Sequence, residues 1–274
     1  MNCGINIVFG ASGLIGTSLY SYNRNNKNFF FFSKSNKKFA RYDLDKSLNK
    51  FPFKKVNNCF FLSSPRILEK NFNKNEFKKE YYWLKNVIEN IRINKLIYLS
   101  SSSVYANNSL IGKTKRKCEK LIIKNKNKFN FYQIWRPFNI IGSAYTNSSH
   151  FHNYCYRKMF LEKKKSFTFF GGEKDKRGYS EVKDFVSILM KYSKRNIDFI
   201  KNYGNKDLIS FSEILEIYNK KHKQIFNFSS NLKFLSSTSS TNSINGKKNC
   251  VYFKKKSIKV IQNYLRNSLS EKKL

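Results

Sequence analysis

The stretch Ile5-Asn-Ile-Val-Phe-Gly-Ala-Ser-Gly-Leu-Ile-Gly16 decides the fold. Its first five residues are short, apolar and β-branched, the pattern of a strand buried on both faces. Three of the chain's 11 glycines follow within seven residues, at Gly10, Gly13 and Gly16. A helix-compatible run then extends to about Tyr22. A glycine turn between a strand and a helix is where a dinucleotide pyrophosphate rests: Gly10 makes the tight turn, Gly13 admits phosphate to the backbone, and Gly16 lets helix pack on strand. The helix N-terminus supplies N–H donors and partial positive charge. The spacing is Gly-x-x-Gly-x-x-Gly rather than Gly-x-Gly-x-x-Gly.

Outward from that turn, strands alternate with helices. Strands are expected near residues 28–32, 39–42, 58–62, 95–99 and 129–134, with helices over 76–93 and 114–124. The first of these helices carries apolar residues at 77, 81, 84, 87, 88 and 91. Such alternation implies an α/β fold, a doubly wound parallel sheet of Rossmann type. Beyond residue 142 the pattern loosens. Helices are expected near 151–162, 181–193, 211–221 and 256–268, while the Ser-, Asn- and Thr-rich stretch 229–248 reads as a surface loop. The expected division is a nucleotide-binding domain over 1–142 and a smaller substrate-binding region over 143–274, interleaved with it.

Composition narrows the class. The 274 residues carry 54 Lys+Arg against 17 Asp+Glu, a formal charge of +37, with 40% hydrophobic residues. That is too apolar for a disordered basic tail. No apolar run approaches the ~20 residues of a membrane span, and the first residues lack the basic segment of a secretory signal. The charge invites a nucleic-acid reading, but it is spread evenly: 27 basic and 7 acidic residues in 1–140, 27 and 10 in 141–274. With only four alanines beside abundant Lys, Asn, Ile and Phe, the charge reads as compositional drift of an A- and T-rich coding sequence. The five cysteines, odd in number and without a Cys-x-x-Cys pair, suit a reducing cytoplasm. His150-Phe-His152 lacks partner ligands and reads as a polar loop, so no metal site is expected.

At the end of the second strand, where an acid would bind the 2′-hydroxyl of NAD and a base the 2′-phosphate of NADP, stand Ser33, Lys34 and Ser35. With no carboxylate among them, the expectation is NADP, with NAD as the alternative. Asp43 is placed to accept from an adenine amino group.

Taken in order, the Gly10–Gly16 turn, Asp43-Leu44, Ser100-Ser-Ser-Ser-Val-Tyr105, Ile111-Gly-Lys-Thr-Lys115 with Glu119, Arg136-Pro-Phe-Asn-Ile-Ile-Gly142 and Arg177-Gly-Tyr-Ser-Glu-Val-Lys-Asp184 resemble the extended short-chain dehydrogenase/reductase family. These are the NAD(P)-dependent sugar-nucleotide epimerases and dehydratases, and the likeness covers roughly residues 4–220. It implies a cofactor site formed by Gly10, Ser12, Gly13, Leu14, Ile15, Gly16, Lys34, Asp43, Leu44, Leu62 and Lys115. It also implies catalytic roles for Ser101 and Lys115, contacts from Ser102, Asn139 and Arg177 to a nucleotide-sugar substrate, and homodimers built through two helices of each subunit.

The family motif is Tyr-Gly-x-Ser/Thr-Lys, in which a phenolate transfers the proton while hydride moves to or from the nicotinamide. Here the phenol position holds Ile111, which cannot transfer a proton. Tyr105 is near in sequence, but the family's tyrosine at that place is no general base. The leading expectation is an epimerase, dehydratase or reductase acting on a nucleotide sugar, with Ser101 polarising the reacting oxygen, Lys115 holding the cofactor ribose, and proton transfer falling to water, Tyr105 or the substrate. The alternative is a non-catalytic NADP-binding protein of the same fold. A nucleic-acid binder ranks third.

Overall fold

The computed structural model describes residues 4–34, 36–65, 76–142, 151–236 and 240–271. The chain divides into two compact units. The first comprises Met1–Pro137 with Val182–Asn202, and the second Phe138–Glu181 with Tyr203–Leu274.

The first unit begins with β1 (Asn6–Phe9), α1 (Leu14–Asn23), β2 (Phe29–Ser33), β3 (Ala40–Arg41) and β4 (Lys55–Phe61). It continues with α2 (Glu76–Asn90), β5 (Arg92–Leu99), α3 (Leu110–Lys124) and β6 (Phe131–Pro137). Strands β3, β2, β1, β4, β5 and β6 lie side by side in that order and pair in parallel. This is the doubly wound arrangement, with the order reversing between β1 and β4; in open sheets of this kind the crevice outside the carboxyl ends of the strands at the reversal is the usual place for a ligand. The carboxyl-terminal halves of β4 and β5, Cys59–Phe61 and Leu96–Leu99, are continuous apolar runs, as expected of strands covered on both faces. Phenylalanine fills the core: the rings of Phe9, Phe32 and Phe51 are mutual neighbours at centroid distances of 5.0–5.7 Å.

Next come β7 (Ile140–Ile141), α4 (Phe151–Tyr156), β8 (Ser166–Gly172), β9 (Lys176–Arg177) and β10 (Ser180–Glu181). Then α5 (Val182–Ser193) and most of β11 (Phe199–Asn205) return to the first unit, where β11 lies beside β6. The remaining elements are β12 (Ile209–Ser210), α6 (Phe211–Phe226), β13 (Asn231–Ser236), β14 (Thr241–Asn242), β15 (Cys250–Phe253) and α7 (Ser257–Ser270). Strand β15 adjoins β11 as the eighth strand of the large sheet. In the second unit, α4, α6 and α7 enclose a core that includes Phe151, Cys155, Tyr156, Phe160, Tyr218 and Tyr264. Among the described residues no helix is long and apolar enough to cross a membrane.

Three local expectations change. Helix α3 starts at Leu110, four residues before the expected start, because Ser109 caps it: its hydroxyl accepts from the Gly112 N–H at 3.1 Å. The expected loop over 229–248 contains β13, which pairs in parallel with β8 through Leu232 and Phe234. His152 lies on α4, not in a polar loop. It is buried, with its ring edge-on to Tyr179 and Tyr264, since α4 turns its apolar residues and this imidazole onto one core. Ser35 and His150 lie outside the described residues.

Candidate dinucleotide site

The carboxyl ends of the parallel strands gather the expected residues of the first unit. Gly10 follows β1, Lys34 follows β2, Leu62 follows β4, and Ser100, Ser101 and Ser102 follow β5. The backbone fixes Gly10 and Gly16. Gly10 has φ +86°, and a Cβ there would lie 2.7 Å from the Leu62 carbonyl carbon and the Ser63 nitrogen; at Gly16 it would meet the Gly10 oxygen. Gly13 differs: φ is −77°, and the nearest atom to a Cβ would be the Gly10 oxygen at 3.5 Å, an ordinary contact. The protein's own packing therefore does not require glycine at 13. Gly13 is also the N-cap of α1, and no side chain caps that helix. The first-turn N–H groups of a helix lack intrahelical acceptors, and the turn's middle residue here lacks a side chain, which fits a phosphate drawn close to the backbone. Ser12, Leu14 and Ile15 complete this turn, half-buried.

The ribose corner differs from its expected character. The Lys34 ammonium lies 2.8 Å from an Asp45 carboxylate oxygen and 3.1 Å from one of Asp43. Hydrogen bonds donated to Asp45 and Asp43 raise the pKa of Lys34, and the bond from Lys34 lowers that of Asp45. Asp45 also accepts from the Trp83 indole N–H at 2.7 Å. Two carboxylates from beyond β3 thus stand where the sequence beside β2 offered none, and the group of three carries a net negative charge. Leu44, between the two acids, is buried.

The catalytic expectations fall on α3 and on the turn after β5. Ser101 caps the short helix Ser102–Tyr105: its hydroxyl accepts from the Ser103 N–H at 3.1 Å and donates to the Ser103 hydroxyl at 3.0 Å. Lys115 is buried on α3. Its ammonium donates to Glu80 Oε1 at 2.7 Å and to the carbonyl of Leu99 at 2.8 Å, and lies over the Tyr98 ring. Glu80 is itself buried on α2 and accepts from the Tyr98 phenol at 2.7 Å and the Ser64 hydroxyl at 2.8 Å. Burial, reinforced by the charge of Glu80, holds the Tyr98 phenol well above its usual range, so Tyr98 stays a neutral donor. Burial likewise pushes the neighbouring Cys118 thiol up to about 12. One helical turn before Lys115, Ile111 is 36% exposed.

A second buried acid, Glu119, organises the next layer. Arg136 reaches it through Nε at 2.9 Å and Nη2 at 2.6 Å, and Ser100 donates to it. Arg136 Nη1 donates to the Tyr105 oxygen at 3.0 Å, and the Tyr105 hydroxyl donates to Asn202 at 2.9 Å. The phenol of Tyr105 is thus held by Arg136 and Asn202.

In the second unit, Asn139 adopts a left-handed φ of 37°, and its side chain donates to the Gly178 carbonyl at 3.3 Å. Asn tolerates this conformation better than most residues. Arg177 Nη1 donates to the Ser240 carbonyl and Nη2 to the Ser240 hydroxyl, both at 2.9 Å. Its guanidinium stacks over Phe211.

The sequence reading missed Glu80 and the role of Glu119. A signal for Glu80 existed: it falls at helical spacing on the face of Phe77, Leu84, Val87 and Ile88. A carboxylate on an apolar face requires a buried partner.

No family model matches this sequence, and no curated protein matches it. Solved structures do. MoeE5 in complex with UDP-glucose and NAD superposes with a TM-score of 0.75 at 15% identity, covering 98% of this chain and 99% of that one. A UDP-N-acetylglucosamine 4-epimerase from Methanobrevibacter ruminantium M1, in complex with UDP-N-acetylmuramic acid, gives 0.75 at 17% identity, covering 98% of each chain. A UDP-N-acetylglucosamine 4-epimerase from Bacillus cereus gives 0.66 at 15%, covering 97% and 99%. The likeness spans nearly the whole of each chain and shows a shared fold.

Proposed function

We propose that this chain is an NAD(H)-binding protein of the nucleotide-sugar epimerase/dehydratase type, one that has kept the cofactor site and lost the side chains that move the proton. One observation carries the cofactor assignment. Of the three turn glycines, packing inside the chain requires Gly10 and Gly16, while at Gly13 a Cβ would make only an ordinary contact, so the glycine there is read as room for a phosphate beside the backbone. NAD supplies hydride transfer when bound. The turn Gly10–Gly16 would hold its pyrophosphate, and Asp43 with Asp45 its adenosine end. The expected preference for NADP finds no support in Lys34, whose charge two carboxylates already answer. A net negative corner suits ribose hydroxyls better than a 2′-phosphate, so NAD is the proposed cofactor.

The structural neighbours solved with UDP-sugars and NAD support a nucleotide sugar as the second ligand. Ser102, Asn139 and Arg177 are its proposed contacts, although Asn139 and Arg177 each have partners inside the second unit. For the chemistry, three groups matter. Position 111 offers no acid, Lys115 is committed to Glu80, and Tyr105 is held by Arg136 and Asn202.

A second reading, turnover with water or substrate supplying the proton path, is favoured by the serine kept at 101 after β5. Incubating the purified protein with NAD(H) and a panel of UDP-sugars separates the two. Binding without turnover supports the first reading; conversion that fails in Ser101→Ala establishes the second.

A further inference from the structure

The turn of α3 that begins the family's proton relay here leads into a buried ion pair. Lys115 and Glu80 expose 7% and 3% of their side chains, and their charged atoms are 2.7 Å apart. Each oxygen of Glu80 is used: Oε1 by Lys115 and Tyr98, Oε2 by Ser64. The Lys115 ammonium has the Leu99 carbonyl as its other acceptor. A buried, fully hydrogen-bonded carboxylate at this distance cancels most of the field that a lysine alone would project along its helix. Ile111 lies four residues earlier on α3, so the two side chains share a face about 5–6 Å apart at Cβ.

We infer that Glu80 is a positioning residue that fixes the Lys115 ammonium inside the first unit and masks its charge from position 111. In this chain the lysine is a structural cation, and restoring a phenol at 111 does not by itself restore an acidic one. The inference deepens the proposed loss of the proton relay, but its test does not depend on cofactor binding.

The test is the ultraviolet titration of a phenol introduced at 111, in Ile111→Tyr and in Ile111→Tyr/Glu80→Gln. Glutamine keeps the shape and most hydrogen bonds of Glu80 while removing its charge. The phenol is expected to be about tenfold more acidic in the double variant, and adding Lys115→Met should abolish the gain. Equal acidity in the two proteins overturns the inference, as does a gain that persists without Lys115. If Glu80→Gln does not fold, a denaturation cycle takes over: Glu80→Gln/Lys115→Met should then fold, and a double variant as damaged as the single overturns the pairing. A wild-type protein that fails to bind NADH while the phenol difference holds defeats the cofactor reading alone.

Discussion

The Lys115 ammonium and the Glu80 carboxylate, 2.7 Å apart and each almost wholly buried, form an ion pair joining α2 to α3. Removing one partner leaves an uncompensated charge in the core, which costs about 3–5 kcal/mol. Glu80→Ala should therefore lower unfolding free energy by that amount. Glu80→Ala/Lys115→Met should recover more than half of it in urea denaturation. Additive losses from the two single changes would show that the charges are not coupled.

The glycine turn separates stability from binding. Alanine at Gly10 or Gly16 meets backbone atoms at 2.7 Å or less, and each change should cost about 1–3 kcal/mol. At Gly13 an added Cβ makes one ordinary contact, 3.5 Å to the Gly10 oxygen, so Gly13→Val should melt within a few degrees of the wild type yet lose NADH binding. Thermal melts and NADH fluorescence titration of the three variants read the difference.

Lys34 makes cofactor choice adjustable. Since Asp43 and Asp45 both hold it, the wild-type protein should bind NADH more tightly than NADPH. Asp45→Asn, which leaves Lys34 with one acid, should narrow the ratio, and Lys34→Ala should weaken NADPH binding to that variant. Paired dissociation constants check both. An unchanged ratio in Asp45→Asn removes the charge argument.

Helix α6 carries a pH-dependent cap. The Ser210 hydroxyl accepts from the Glu213 N–H at 3.2 Å, while the Glu213 carboxylate accepts from the Ser210 N–H at 2.7 Å. The Ser210 backbone bond, then its hydroxyl, holds Glu213 below the ordinary carboxylate range. The folded pKa lies below the unfolded value of about 4.3. The contribution is thus complete above about pH 4.3 and is lost as pH falls through the lower, folded value. Ser210→Ala should cost about 1 kcal/mol at neutral pH and flatten the acid side of the melting-temperature profile.

Much of the first unit was legible because its signals are local. The run Ile5–Phe9 is apolar but for Asn6, and the glycine turn follows at once. The alternation of strands and helices then leaves few topologies. What escaped depended on partners distant in sequence. Lys34 read as a free base because Asp43 and Asp45 arrive through β3, a two-residue strand. The pairing of Lys115 with Glu80 escaped because nothing near Lys115 in the chain announces an acid 35 residues earlier. Strand β13 was hidden in a polar stretch, since only Leu232 on it is buried. Ile111 stands at the phenol position of the motif the sequence resembles, and the helix through it leads into the Glu80 pair.

The most direct measurement is NADH titration of the wild-type protein, followed by incubation of the NAD-loaded protein with UDP-glucose, UDP-galactose, UDP-glucuronic acid and UDP-N-acetylglucosamine. Saturable NADH binding, lost in Gly13→Val, and no conversion of any sugar are expected. Absence of NADH binding, or turnover that disappears in Ser101→Ala, would contradict the proposed function.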